Sequence, residues 1–155
     1  MTFRITGLSP APFRALFGLS DDELTLRGAR RIIAGAGEHF PDRIELRDAE
    51  AGESLLLVNH THQPENTPYR ASHAVFVREK PGPVYDRVGE IAPALRGRIL
   101  SLRAFDADHL MVDADLVEGD DLEAGIERFL ADPRTAYLHA HYAKRGCYAA
   151  RIDRA

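Results

Sequence analysis

The chain has 155 residues, 45% of them apolar and 28% charged, with a net charge of −4. That length suits one domain, residues 1–155, able to remove roughly 70% of its unfolded surface from water, and the composition excludes a disordered or fibrous chain. Its basic residues are scattered, which argues against nucleic acid, whose phosphates need clustered Lys and Arg, and no apolar run reaches the roughly 18 residues that span a membrane.

Cys147 is the only cysteine, so no internal disulfide can form, and the N-terminus lacks the charged and apolar regions of a signal peptide. Both point to the cytoplasm. Lys80 and Lys144 are the only lysines beside many arginines, a bias read here as compositional.

In chain order, Thr2–Thr6 alternates as a short strand, and Ser9-Pro10 opens a helical turn through Phe17. Ser20 and Glu23 are spaced as a capping box for a helix running to about Gly28. Ala29–Ala34 and Arg43–Arg47 read as strands on either side of a Gly- and Pro-containing turn. Leu55–Val58 and Ala74–Val77 are apolar strands flanking a polar loop that carries His60, His62 and His73, with prolines that preclude a helix. Pro81-Gly82-Pro83 breaks the chain, and Val88–Gly97 reads as a short helix.

Ile99–Phe105 and Leu110–Leu116 are alternating strands joined by a tight turn at Asp106-Ala107-Asp108. Asp120–Leu130 is the clearest helix, with acids in its first turn and Leu122, Ile126, Phe129 and Leu130 on one face. Ala136–Tyr142 and Cys147–Ile152 form a closing hairpin, with Gly146 supplying a positive φ. Strands joined by short turns, with segregated helices, predict an α+β fold. Its sheet is largely antiparallel, with about six to eight short strands and two to four helices.

The stretches FRITGLSPAPFRALFGLSDDEL (Phe3–Leu24), TPYRASHAVFVRE (Thr67–Glu79), LSLRAFDADHLMVDAD (Leu100–Asp115) and HAHYAKRGCYAARIDR (His139–Arg154) resemble a bacterial family. It is the domain of unknown function numbered twelve hundred and three. The resemblance spans nearly the whole chain and implies no activity, cofactor or catalytic residue.

Three constellations can carry chemistry. His139-x-His141 lies within a strand and His60-x-His62 at a strand end, with His73 and Glu65 nearby. Residues i and i+2 share a face, so neighbouring imidazoles can ligate one divalent metal ion; the alternative is that His139 and His141 hydrogen-bond within the sheet while His60 and His62 sit in solvent. Cys147 lies beside Lys144 and Arg145 at the hairpin tip, within reach of His141 as a base; the alternative is a small buried apolar residue. Arg70 and Tyr69 sit in the histidine loop, and Arg103 interrupts an apolar strand, where a half-buried guanidinium needs a partner. Asp113 or Asp115 on the next strand is the expected internal partner.

The sequence thus points to a polar pocket between the Asn59–His73 loop and the Tyr137–Cys147 hairpin. Within it His62, Tyr69, Arg70, Arg103 and Lys144 would bind a small anionic molecule, while His73, His139, His141 and Cys147 would supply any catalysis. The other expectation is a non-catalytic homodimeric interaction module with structural histidines.

Overall fold

In chain order, β1 (Phe3–Thr6) leads into a 3₁₀ turn over Ala11–Leu16. Helix α1 (Asp21–Leu26) opens with the anticipated capping box: the Ser20 hydroxyl accepts from the Glu23 N–H at 3.2 Å, and the Glu23 carboxylate accepts from the Ser20 N–H at 2.9 Å. Strands β2 (Arg30–Ile33), β3 (Ser54–Gln63), β4 (Ala71–Arg78) and β5 (Asp86–Val88) follow. After them come β6 (Ile99–Phe105), β7 (Met111–Glu118), helix α2 (Leu122–Ala131), β8 (Tyr137–Tyr142) and β9 (Tyr148–Arg154). This computed structural model describes residues 2–155.

Two antiparallel sheets result, one of six strands in the order β5–β1–β9–β8–β6–β7 and one of three in the order β2–β3–β4. The fold is therefore α+β. One face of the larger sheet, with Leu100, Leu102, Leu138, Ala140 and Ile152, is covered by the apolar stripe of α2 formed by Leu122, Ile126, Phe129 and Leu130. The smaller sheet buries Leu56, Val58, Val75 and Val77 against Phe13, Leu24 and Ile44. Among the described residues, no helix is long and apolar enough to cross a membrane.

Register places alternate residues of the larger sheet on its second face. Ser101 pairs with His141, Arg103 with His139 and Phe105 with Tyr137 across β6 and β8, while Arg151 of β9 pairs with His139. Because successive side chains alternate, these polar and aromatic groups share the face turned away from α2. The tip of β3 lies against it.

Three expectations from the sequence are corrected. Arg43–Arg47 forms no strand, because the Asp42 carboxylate accepts from the backbone N–H groups of Glu45 and Arg78 and bends the segment, with Leu46 at φ 52°. Val88–Gly97 is not a helix: Asp86–Val88 adds to β1 as an edge strand, and only Pro93–Leu95 makes a 3₁₀ turn. The histidine loop is shorter than expected, since β3 continues through His60 and His62 to Gln63, and His60 pairs with His73 of β4.

Candidate functional site

A bulge in β3 builds the centre of the site. The ladder with β4 slips between Thr61 and Gln63, and such an extra residue re-aims the side chains around it. His62 and Gln63 consequently both meet the larger sheet. The Gln63 side chain, 2% exposed, donates to the Tyr137 hydroxyl at 3.0 Å. The same hydroxyl lies 2.7 Å from His109 Nδ1, within hydrogen-bond distance.

The His62 ring lies parallel to Tyr148 at 5.5 Å and edge-on to His141 at 4.9 Å. His139 stands 6.3 Å from both histidines and 5.2 Å from Tyr148. His139 and His141 are buried. His141 Nδ1 lies 2.9 Å from the Gly146 carbonyl, which can only accept, so the neutral ring carries its proton on Nδ1 and keeps a lone pair on Nε2. His62 Nδ1 and His139 Nδ1 are buried with no hydrogen-bond partner among the described residues.

Burial is the main influence on these rings. It pushes His62 down to about 4, with His60, Arg103 and His73 adding like-charge repulsion. Burial likewise pushes His139 down to about 3, aided by His141, His62, Arg151 and Arg103. His141 falls to about 3 from burial, opposed by its bond to Gly146 and reinforced by Arg103, His62 and His73. All three are uncharged near neutral pH.

Arg103 is half-buried, and its side chain makes one hydrogen bond, from Nε to the Ser101 hydroxyl at 3.3 Å. Burial alone acts on its guanidinium, lowering its pKa, and no neighbouring acid offsets that cost. The expected pair with Asp113 or Asp115 does not form. Arg103 stands opposite Ala114, so the flanking aspartates fall on the other face; Asp115 binds Arg128 at 2.8 Å instead. A half-buried cation thus faces uncharged imidazoles, and no carboxylate lies within ion-pair reach of it among the described residues.

The three imidazoles do not fit a single ion. Rings bound to one zinc, with metal–nitrogen bonds near 2.0–2.1 Å, have centres about 5 Å apart. The His62–His141 spacing suits that, but His139 at 6.3 Å from both does not. Among the described residues no group of three or more His, Cys, Asp or Glu side chains is arranged to hold a metal. Glu65 lies instead 4.0 Å from His109.

Of the residues picked from the sequence, His62, His139, His141 and Arg103 come together, and His73 joins their edge with Nδ1 3.0 Å from the Ala74 carbonyl. Tyr69 packs edge-on to Phe105 at 6.2 Å, at the rim. Arg70 is exposed and donates to the Glu65 carbonyl at 3.3 Å. Cys147 and Lys144 stand apart from this group and line a separate cleft. Cys147 is buried, its Sγ accepting from Arg43 Nη2 at 3.0 Å.

Sequence reasoning missed Tyr148, Gln63 and Tyr137. The alternation of β8 does place Tyr137 on the face of His139 and His141, a signal that was there to be used. Nothing in the sequence marks the bulge that turns Gln63 inward.

A family model described as "Protein of unknown function (DUF1203)" matches residues 39–154. Searches of curated proteins and of solved structures found no match.

Proposed function

The chain belongs to the DUF1203 family, a membership that carries no chemistry, and we propose from the geometry that it binds a small anionic molecule where Arg103 meets His62, His139 and His141. The observation that carries this reading is Arg103 itself, a half-buried cation without an acid partner. Buried charge is normally compensated, and a guanidinium presents a donor fork suited to a carboxylate or phosphate.

The imidazoles complement such a ligand. Neutral rings can donate N–H to an anion without adding to the cost of a buried charge. His141 Nε2, held as a lone-pair acceptor by the Gly146 contact, can take a proton from an acidic group of the ligand. A bound anion would favour the imidazolium that results.

The free edge of β7, where Leu116 is 65% exposed, is the feature that favours a homodimer instead. Asp113, Asp115 and Glu118 charge the same strand, which works against edge-to-edge pairing. The anion reading is therefore preferred.

The test is calorimetric titration of the wild type and Arg103→Met with inorganic phosphate and with acetate. The reading requires that at least one anion bind the wild type and that Arg103→Met weaken it by about tenfold or more. Equal binding by both proteins would remove Arg103 from the account.

A further inference from the structure

Toward the turn of the β8–β9 hairpin, a cleft of about 670 Å³ opens between Phe40 and Arg43 on one wall and Ile99, Leu116 and the Tyr142–Cys147 turn on the other. That volume lies within the range of small-ligand sites, about 300–1,000 Å³. We infer that this cleft is a second, independent binding site, for a small organic anion with an apolar or aromatic body.

Its floor is Arg43, 1% exposed. The guanidinium donates to the Tyr148 carbonyl at 2.7 Å, the Pro41 carbonyl at 2.6 Å and Cys147 Sγ at 3.0 Å. It lies 4.9 Å from the centre of the Tyr142 ring. No carboxylate is within ion-pair reach of Arg43 among the described residues. A buried cation held by carbonyls, a sulfur and a ring leaves a net positive field in the cleft.

A second observation is independent of that charge. Tyr142, 6% exposed, lines the cleft, and its hydroxyl is buried without a hydrogen-bond partner. Buried polar atoms are satisfied in the great majority of cases, so this hydroxyl, on a side chain of the cleft wall, is a donor for which the described residues supply no acceptor.

The remaining lining defines the ligand class. The charged side chains that line the cleft are Arg43, Arg98, Lys144 and Arg145; Arg98 is paired with Asp48 at 2.8 Å, which leaves Arg43, Lys144 and Arg145 as the cations without an acid partner among the described residues. Lys144 and Arg145 are exposed and make no ion pair among the described residues. Between these cations the walls are apolar, and Ile99 and Leu116 are 50% and 65% exposed at the mouth. Apolar walls with a cationic floor and rim suit an aryl or alkyl carboxylate or phosphate better than a bare inorganic ion.

The probes are benzoate and phenyl phosphate, with benzamide as the uncharged counterpart, titrated calorimetrically into the intact chain. Benzoate or phenyl phosphate should bind about tenfold or more tightly than benzamide. The exposed double variant Lys144→Glu/Arg145→Glu, which leaves the buried floor intact, should weaken that binding by about tenfold.

Arg103→Met separates this site from the one proposed above, because only the cleft should keep its affinity in that variant. Benzamide binding as tightly as benzoate would overturn the inference. So would benzoate binding that Arg103→Met abolishes and the double variant leaves untouched.

Discussion

Arg103 of β6 and His139 of β8 are register partners on one face of the larger sheet; burial depresses the imidazole's proton affinity most, and His141, His62, Arg151 and, least, Arg103 add to it. Here two potential cations share a face, and the consequences can be measured.

Replacing Arg103 with Met removes a desolvated cation that no ion pair supports. The melting temperature should stay the same or rise, because loss of an uncompensated charge offsets loss of the single bond to Ser101. The His139 and His141 ring titrations should move upward, since one source of repulsion has gone. A drop in melting temperature of many degrees would mean that Arg103 has a structural partner.

Stability should fall between pH 7.5 and pH 5. His139 and His141 sit near 3 in the folded chain, against about 6.5 when unfolded. Their contribution is complete above pH 6.5 and is lost as pH falls toward 3, because the unfolded chain takes up the protons. The loss at pH 5 is at most about 2 kcal/mol for each residue. Glu53 and Glu79, held near 2 chiefly by Arg47 and Arg31, lose their contribution only below about pH 4.5, while Asp42, raised chiefly by burial, acts in the opposite direction to the histidines. Urea midpoints at the two pH values, for wild type and His139→Asn, give the comparison; a wild-type midpoint that does not change contradicts the burial.

Gln63→Leu should cost about 1–2 kcal/mol in urea unfolding. It deletes the buried donor to Tyr137 that ties the bulged end of β3 to β8. The His109 resonance should respond as well, because Tyr137 links the two residues.

Gly119→Ala should cost about 2–4 kcal/mol by overpacking. A Cβ there would overlap the Leu95 carbonyl oxygen, which is backbone and cannot move aside cheaply. An unchanged melting temperature would mean that the 3₁₀ turn Gly119–Asp121, which precedes α2, is looser than it stands.

The legible parts of the sequence were those where the signal is local. The Ser20–Glu23 box, the apolar stripe of α2 and the turn at Gly146, φ 80°, each follow from residues within one or two turns of chain. Arg43–Arg47 was not legible, because its course is set by an Asp42 side chain competing for backbone donors, one of them on Arg78.

The Arg103 partnership failed for a different reason. Asp113 and Asp115 have the right charge and lie on the right strand, but a register one residue away turns both to the opposite face. The convergence of His139 and His141 followed from period 2, whereas the arrival of His62 beside them needed a bulge that no pattern announces.

The central claim, that Arg103 and the imidazoles form an anion site, is tested most directly by ring titration. Histidine Cε1–H resonances would be followed by NMR from pH 3 to pH 8, with and without saturating phosphate, for wild type and Arg103→Met. Phosphate should raise the midpoints of His62, His139 and His141 together in the wild type, because an anion favours each imidazolium. Little or no rise should occur in the variant. Midpoints in the wild type that ignore phosphate, or that shift equally in both proteins, would contradict the claim.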